Sequence, residues 1–458
     1  MLDVNDEIVV IIEKLLYEGK ALARADGFPI FIEGGVPQDK LKIRITSAKR
    51  NFAIGEIIEI VEPSPYRIKP FCALHNACGS CMWQHIDYEE QLKQKQIIVS
   101  EIMDKFSGAK QKVLPVIRSP KTQEYRHKIQ YPVGQTKVSK RILAGYYKKG
   151  SHELVNIKHC PIEPIVIDEI LEKIKEYAQT LGLSAYDEKS YKGILRHFVF
   201  KHSLYNGKTL VILVVNSDEI PESVDKLASM IFKNIKNIQG VVVNFNTQKS
   251  NVIMGKVSKC LIGDDFYEEK LGGKIFHISA TSFFQVNPEA ADEIIKIIRK
   301  MVSENFDNAE ISLLDAYSGV SSFGIALSDL FKEIVCVEEI ESAIEDAKEN
   351  VRLNDSKNIE IFSGEASKTF NEFVKEGKKF DVVLVDPPRK GLSQEALDSA
   401  AKLSKGTIIY VSCNPTTLAR DIKYLSEHGY EAQYIQPVDM FPHTYHVENV
   451  ALIKHKQN

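Results

Sequence analysis

Two residues near the C-terminus have types and settings suited to joint chemistry. The apolar run Ile408–Ser412 reads as a buried strand that stops at Cys413, and the chain closes on Phe441-Pro-His-Thr-Tyr-His-Val-Glu448. A thiol and a carboxylate of this kind pair as nucleophile and base. A cysteine at a strand end is usually a packing residue, but this one has a reactive setting. Asn414-Pro415 forces the chain to turn at once, Thr416-Thr417 is suited to cap the next helix, and a helix N-terminus favours a thiolate. Cys260 and Cys336 lack such a setting and are assigned to packing. Upstream, a second strand, Asp381–Val385, ends in Asp386-Pro-Pro-Arg389.

A second group of thiols lies near the N-terminus. Cys72, Cys78 and Cys81 are spaced C-x5-C-x2-C, and Cys160 follows far downstream in His159-Cys160-Pro-Ile. Four thiolates suit either zinc or an iron–sulfur cluster, and spacing leaves the two open while it excludes the CxxxCxxC loop of radical enzymes. His443 and His446 read as loop-ordering residues, because no cysteine or acid with metal spacing joins them.

The run Leu313-Leu-Asp315-Ala-Tyr317-Ser-Gly319-Val-Ser321-Ser322-Phe-Gly324 has the form of a strand, a glycine-bearing turn and a helix start. That geometry lets a nucleoside cofactor approach the backbone closely. The next strand, Val335-Cys-Val-Glu338, ends in a carboxylate that can accept hydrogen bonds from both ribose hydroxyls.

These residues need elements to position them. Short β-like runs at Ile8–Ile12, Pro29–Ile32, Leu41–Ile45 and Ile54–Val61, with turns at Asp26-Gly27 and Gly34-Gly35, predict a small β-barrel over residues 1–65. Lys40, Lys42, Arg44, Lys49 and Arg50 are its phosphate-facing candidates, with a solvated surface as the alternative. Residues 66–275 read as an α+β region, with a helix over Tyr88–Phe106, a hairpin of Leu195–Lys201 and Thr209–Val215 around Asn206-Gly207, a helix over Val224–Ile235 and a strand at Gly240–Phe245. Within it, Arg126, Lys128, Lys137, Lys140, Arg141, Lys148 and Lys149 alternate with Tyr125, Tyr131, Tyr146 and Tyr147, a pattern that can grip phosphates and stack on splayed bases. From residue 276 to 458, strands at Ile311–Ala316, Glu333–Val337, Ile359–Phe362, Phe380–Val385 and Thr407–Val411 alternate with helical stretches, which predicts an α/β, doubly wound parallel sheet.

Bulk composition narrows the function classes. The 458 residues exceed one ordinary domain, and 44% hydrophobic with 26% charged content fits a globular chain with no run long enough to span a bilayer. The acidic start Met-Leu-Asp-Val-Asn-Asp-Glu is unlike a secretory signal, so a cytoplasmic location is expected, and a monomer is the default. With 59 Lys and Arg against 62 Asp and Glu the net charge is −3, so any nucleic-acid site must be local. Seven cysteines in such a chain point to metal binding or catalysis rather than disulfides.

Taken together, Asp386-Pro-Pro-Arg389, Ser412-Cys413-Asn-Pro and Asp439-Met-Phe-Pro-His443-Thr-Tyr-His446-Val-Glu448 resemble the RNA uracil-C5 methyltransferase family. Cys72-x5-Cys78-Gly-Ser-Cys81-Met-Trp83-Gln-His, with Tyr88 and Gln91, is similar to the iron–sulfur segment of the members that act on 23S ribosomal RNA, and the first 65 residues resemble a TRAM domain, an OB-like RNA-binding module. The resemblance implies a Rossmann-like methyltransferase domain, a [4Fe–4S] cluster on Cys72, Cys78, Cys81 and Cys160, and S-adenosylmethionine held by Gln285, Tyr317, Ser322, Glu338, Glu365 and Asp386. It further implies Cys413 as the nucleophile toward C6 of a flipped uracil, Glu448 as the base toward C5, and structured RNA as partner. Related enzymes methylate tRNA at the same carbon, and that is the nearest alternative. A non-catalytic RNA-binding or redox-sensing iron–sulfur protein is the alternative of another class. One departure stands out: the family has G-x-G where this chain has Gly319-Val-Ser321, and serine reaches a positive φ only with strain.

Overall fold

The computed structural model describes residues 2–307 and 310–456 and divides into two compact units. One comprises Met1–Ser119, Pro388–Leu392 and Tyr410–Asn458; the other comprises Pro120–Pro387 and Ser393–Ile409.

In the first unit, β1 (Glu7–Leu15), β2 (Ala21–Ala25), β3 (Phe28–Ile32), β4 (Lys40–Ala48) and β5 (Ala53–Glu62) close a barrel in the order β1-β2-β3-β5-β4. Alternation fills it: Val10 and Ile12 of β1 and Leu41, Ile43 and Ile45 of β4 point inward, while their neighbours face out. The alanine-rich β2 carries little β-branched signal and was not anticipated. Its small side chains serve packing, since a Cβ on Gly35 would come within 2.9 Å of Ala21 Cβ. Asp26 and Gly27 both take positive φ, 48° and 81°, as a tight β-hairpin turn requires.

Helix α1 (Tyr88–Phe106) follows, capped by Asp87, whose carboxylate accepts from the amide of Glu89 at 3.0 Å. Trp83, Ile86 and Ile98 belong to the same hydrophobic cluster as the barrel interior. The helix has an unusual buried face, because Glu90, Gln91, Gln94 and Lys95 are buried together with Ile98, Val99 and Met103. Such polar burial requires partners, and one is visible at once: Gln94 accepts from the Leu15 amide at 2.9 Å.

The second unit opens with a seven-stranded sheet built from β6 (Lys128–Gln135), β7 (Ile142–Tyr147), β8 (Leu154–Asn156), β9 (Leu195–His202), β10 (Thr209–Val215), β11 (Ile238–Phe245) and β12 (Val257–Gly263). Its order is β12-β11-β10-β9-β6-β7-β8, with α2 (Ile165–Thr180) and α3 (Glu222–Asn234) packed against it. The β9–β10 hairpin turns through Gly207 at φ 71°, as the Asn-Gly pair predicts. A ribbon of β13 (Phe266–Leu271) and β14 (Lys274–Ser279) leads to α4 (Pro288–Ser303).

The remaining elements alternate: β15 (Ser312–Ala316), α5 (Ser322–Ala326), β16 (Glu333–Glu338), α6 (Glu341–Leu353), β17 (Ile359–Ser363), α7 (Ala366–Lys375), β18 (Phe380–Val385), α8 (Gln394–Leu403), β19 (Ser404–Ser412), α9 (Pro415–Glu427), β20 (Tyr430–Val438) and β21 (Glu448–His455). Their sheet runs β17-β16-β15-β18-β19-β21-β20. The pairs β17/β16, β16/β15 and β15/β18 are parallel, as expected, whereas β20/β21 is an antiparallel hairpin that the sequence did not reveal as such. Among the described residues no helix is long and apolar enough to cross a membrane.

The turn from β15 into α5 holds three positive-φ residues, Tyr317 at 61°, Gly319 at 55° and Ser321 at 58°. Ser321 thus occupies the left-handed conformation anticipated for it, and it does so without glycine's freedom. Ser321→Gly is expected to stabilise the chain by about 0.5–1 kcal/mol, the left-handed penalty less glycine's added chain entropy. A thermal melt checks this, and a lower melting temperature would contradict the strain.

Candidate active site

Cys413 sits where β19 gives way to α9. It is half-buried, and the buried Ser412 before it bonds its hydroxyl to the Asn414 carbonyl at 3.1 Å. The helix cap is Asn414 itself, whose side chain accepts from the Thr416 amide at 3.0 Å. This corrects the expectation that Thr416-Thr417 caps: those residues lie in the first turn, and the Thr417 hydroxyl donates to the Asn414 carbonyl at 3.1 Å. The Asn414 side-chain nitrogen Nδ2 also donates to the Arg389 carbonyl at 3.1 Å, which ties the end of the Asp-Pro-Pro-Arg segment to the cysteine's turn.

Glu448 is the first residue of β21, is buried, and pairs with Val438 across the hairpin. The next residue, Asn449, donates its side-chain amide to the Ser412 carbonyl at 3.3 Å. The residue after Glu448 therefore touches the residue before Cys413, which brings the two predicted catalytic residues to neighbouring strand ends. The loop before Glu448 is ordered as expected of its histidines. The His443 amide donates to Gln91 Oε1 at 2.9 Å, and its ring nitrogen Nδ1 lies 3.2 Å from Gln91 Nε2.

Sequence reasoning missed Tyr17, on the turn between β1 and β2. Its hydroxyl donates to Asn414 Oδ1 at 3.4 Å, and its ring meets Tyr445 edge-on at a centroid distance of 5.6 Å. Burial, and then the neighbouring acids Tyr445 and Cys413, push its hydroxyl up to about 12, so it stays a protonated donor beside the thiol. No sequence motif marks this residue.

The nucleoside-type site belongs to the second unit. Glu338 ends β16, accepts from the amide of Gly319 at 2.8 Å, and accepts from the amides of Glu339 and Ile340 at 2.9 Å each. Asp315 accepts from the Gly324 amide at 2.9 Å through Oδ2, while its buried Oδ1 has no hydrogen-bond partner among the described residues. Burial above all pushes the Asp315 carboxyl up to about 7, with Asp386 and Glu338 adding to it. Burial also pushes Asp386 up to about 7, and its amide donates to the Ala316 carbonyl at 3.4 Å.

Tyr317 and Ser322 flank the turn, half-buried, and the space where a Gly319 Cβ would stand is open. Glu365 precedes α7, accepts from the Ser367 hydroxyl at 2.9 Å and pairs with Lys368 at 2.8 Å. An open glycine turn, an orphaned buried carboxylate oxygen and a fixed acid at the next strand end fit a nucleoside with hydroxyl and cationic groups.

Gln285 is half-buried in the loop that leads into the Asn287 cap of α4. Next to it Phe283 is exposed, with the Lys128 ammonium 5.8 Å from its ring centroid. A second residue missed from sequence organises this loop: buried Lys201 donates to the carbonyls of Ser279 at 2.7 Å and Ser282 at 2.8 Å. Burial lowers its ammonium strongly, and Lys128 adds to the effect.

The four cysteines expected to hold a metal are divided between the two units. Cys72, Cys78 and Cys81 lie half-buried on a turn-rich segment, where the Cys78 amide donates to the Leu74 carbonyl at 2.8 Å and Cys78 Sγ lies 3.5 Å from Ser80 Oγ. Cys160 is buried in the other unit, its amide donating to Asp168 at 3.2 Å. Among the described residues no group of three or more His, Cys, Asp and Glu could hold a metal ion. A central iron–sulfur domain is therefore not shown.

The aromatic readers expected in the central region are also corrected. Tyr125 and Tyr131 are buried, and the Tyr146 hydroxyl donates to Glu163 at 2.5 Å, with Tyr131 on the other oxygen of that carboxylate. Tyr131 and Tyr146 thus satisfy a buried acid and do not stand ready to stack on bases, Tyr125 is enclosed, and Tyr147 is half-buried with its ring edge-on to His152 at 5.5 Å. Lys137, Lys140, Arg141, Lys148 and Lys149 are exposed. On the barrel, Lys40 pairs with Glu62, and Lys42 and Arg44 both pair with Glu7, which leaves Lys49 and Arg50 as the exposed cations clear of those pairs.

Comparison with known proteins places this arrangement. The family model described as tRNA (Uracil-5-)-methyltransferase matches residues 87–456, and the TRAM domain model matches residues 2–58. An uncharacterized RNA methyltransferase of Halalkalibacterium halodurans is 35% identical over 99% of this chain and 98% of its own length. One from Bacillus cereus is 36% identical over 98% of this chain and 97% of its own. The crystal structure of Pyrococcus abyssi tRNA (uracil-54, C5)-methyltransferase in complex with S-adenosyl-L-homocysteine superposes with a TM-score of 0.77 at 26% identity, covering 97% of this chain and 100% of that one. The strand-end thiol, the acid-lined glycine turn and these likenesses agree: the chain belongs to the S-adenosylmethionine-dependent RNA (uracil-5-)-methyltransferases and carries an N-terminal TRAM domain.

Proposed function

We propose that the protein methylates C5 of a uridine in 23S ribosomal RNA, with Cys413 as nucleophile and Glu448 as base. The observation that carries the residue assignment is the Asn449–Ser412 hydrogen bond of 3.3 Å, which sets the two side chains on adjacent strand ends. The barrel over residues 1–65 and the central region over 66–275 hold structured RNA, and residues 276–458 supply the chemistry.

C5 of uracil is a weak nucleophile until the ring is activated. The Cys413 thiolate adds to C6, and the ring electrons move onto C5 as an enolate. Gln285, Tyr317, Ser322, Glu338, Glu365 and Asp386 hold S-adenosylmethionine, which supplies an electrophilic methyl group when bound. The methyl bonds to C5 as its bond to sulfur breaks, which would leave S-adenosylhomocysteine, and C5 then carries both a methyl and a proton. Glu448 removes the C5 proton, the C5–C6 double bond reforms, and the Cys413 thiolate leaves.

Support for ribosomal RNA comes from the cysteine spacing, which is similar to that of the ribosomal members. The tRNA reading has its own support in the Pyrococcus abyssi likeness, since that enzyme is named for a tRNA uracil. Incubation with C5-tritiated transcripts of both kinds tests the two: tritium release from large-subunit RNA alone supports the first, and release from tRNA alone replaces it with the second. The same spacing is the support for a [4Fe–4S] cluster on Cys72, Cys78, Cys81 and Cys160, through which no step above passes. Iron and sulfide assays on anaerobically purified protein decide it, and metal-free active protein would remove the cluster from the proposal.

Substitutions separate the two catalytic roles. Cys413→Ala is expected to abolish tritium release and the covalent RNA adduct together. Glu448→Gln is expected to form the adduct and slow its breakdown by about 10²–10⁴-fold, the scale of general base catalysis. An active Cys413→Ala protein would overturn the nucleophile.

The buried acids give a pH signature. Asp386 sits near 7 without ligand, against an ordinary carboxylate value of about 4, so at lower pH it is protonated. A cationic sulfonium favours the ionised form, so binding must expel that proton below about 7. Affinity for S-adenosylmethionine is therefore expected to rise with pH toward 7, at most about tenfold per unit, and to level off above it. Calorimetric titration from acid to neutral pH checks this, and the Asp386→Asn protein should show a shallower slope, because Asp315 remains near 7 in the same site.

A further inference from the structure

The polar face of α1 is buried against the loop that delivers Glu448, and the reaction proposed above does not account for it. Asp439 is the first residue beyond the Val438–Glu448 pair that closes the β20–β21 hairpin. Its carboxylate is fully buried and accepts from Lys95 Nζ at 2.6 Å, from the Tyr88 hydroxyl at 2.9 Å and from the Phe441 amide at 3.1 Å. Lys95, also fully buried, donates a second bond to the Phe441 carbonyl at 3.1 Å. Further along the loop, His443 takes φ 65° and is bound on both sides of its backbone. Its amide donates to Gln91 Oε1 at 2.9 Å and its carbonyl accepts from the Trp83 amide at 2.9 Å.

The loop is thus pinned by one short stretch, Trp83 to Lys95, through a buried ion pair and a glutamine. A buried ion pair is a poor way to gain stability, because the desolvation of two charges offsets their attraction. Its attested advantage is register: a charge in a dry interior has one acceptable position, so the segment carrying its partner has one acceptable conformation. The segment here is the loop whose far end is Glu448. Cys413 has separate supports, namely the strand β19 and the Asn414 cap.

We infer that Lys95 and Asp439, with Tyr88 and Gln91, form a positioning brace that sets the Glu448 carboxylate for proton removal and leaves Cys413 addition untouched. This rests on the reading of Glu448 as the base. Neither Lys95 nor Asp439 is a catalytic residue here, since each acts through the loop.

The test separates the two halves of turnover in the full-length protein with a C5-tritiated uridine transcript that it modifies. Single-turnover mixtures are quenched in denaturant, and covalent RNA–protein adduct and released tritium are followed together. For Lys95→Met, adduct formation is expected within about threefold of wild type, while tritium release slows by on the order of 10²-fold, the loss typical of a misplacement of about 1 Å. Parallel slowing of both phases, or release at the wild-type rate in a folded protein, would overturn the brace.

Lys95→Met alone leaves the Asp439 carboxylate buried without its cation and can unfold the chain, so Lys95→Met/Asp439→Leu is measured beside it. Its thermal stability is expected to recover toward wild type, because an apolar pair replaces the ions, while tritium release stays slow. Recovery of release along with stability would reduce the pair to a structural role. Glu448→Gln is the reference: if it accumulates adduct and the brace variants do not, the inference fails by itself, and if it forms no adduct, the reading of Glu448 fails and the inference with it.

Discussion

The carboxamide of Asn414 is the interaction on which the setting of Cys413, the proposed nucleophile, depends. Its oxygen takes the Thr416 amide and starts α9, and its nitrogen holds the Arg389 carbonyl. Neither aspartate, which cannot donate, nor serine, which cannot span the distance, would serve both ends. The same oxygen receives the Tyr17 hydroxyl, so a turn of the N-terminal barrel is registered against the cysteine's own turn. Cys413 is then fixed from before by a buried strand and from after by a capped helix. The helix start supplies the positive end of its dipole to the thiol, which is the electrostatic half of making a thiolate. The Asp-Pro-Pro-Arg segment is held on the same helix by Asp421, which accepts from the Leu392 amide at 3.0 Å and from the Tyr410 hydroxyl at 2.7 Å.

The second unit solves a different electrostatic problem. A glycine turn at a helix start is a natural anion site, because its free amides point at the ligand. Here two such amides, of Gly319 and Gly324, are already given to the carboxylates of Glu338 and Asp315. The turn therefore cannot cradle a phosphate, and three acids, Asp315, Glu338 and Asp386, line or underlie it. Burial holds two of them near neutral pH in protonation terms, so the unliganded site is short of positive charge. That is the complement of a nucleoside with hydroxyls and a cationic sulfur, and it sets this turn apart from a dinucleotide site of the same backbone shape.

Much of this was legible in the chain because local rules and global fold agree. The parallel strands of the C-terminal sheet announce themselves as continuous apolar runs ending in Asp315, Glu338 and Asp386, and the Asn-Gly hairpin fixes β9 against β10. Ser321 was read as a position needing positive φ, and it has one. What stayed hidden has physical reasons. Strand β2 is too rich in alanine to carry a strand signal. The tyrosines of the central region look like base readers in sequence because burial is a tertiary property, and Glu163, which Tyr131 and Tyr146 share, has no periodic mark. Tyr17 and Lys201 act through contacts far away in sequence, which no spacing rule reaches. The four cysteines show the opposite failure, in which a strong spacing pattern is not matched by a ligand group among the described residues.

The side chains of Cys413 and Glu448, proposed as nucleophile and base, are held by devices of different reach, and this shapes how the proposed chemistry depends on folding. Cys413 rests on local structure, a strand end and a cap within three residues of it. Glu448 rests on a hairpin loop whose anchors lie far off in the chain, with Lys95 and Asp439 separated by 344 positions. Loop closure over such a separation is an entropic cost that local structure does not carry. The brace can form only once α1 is in place, and α1 shares its core with the TRAM barrel through Ile98. A disturbed N-terminal barrel would cost the turn of Cys413 its Tyr17 contact and, through α1, would loosen the loop that carries Glu448. On the proposed roles, the base depends on long-range supports throughout its loop, whereas the nucleophile depends on a strand end and a cap with one long-range contact, from Tyr17.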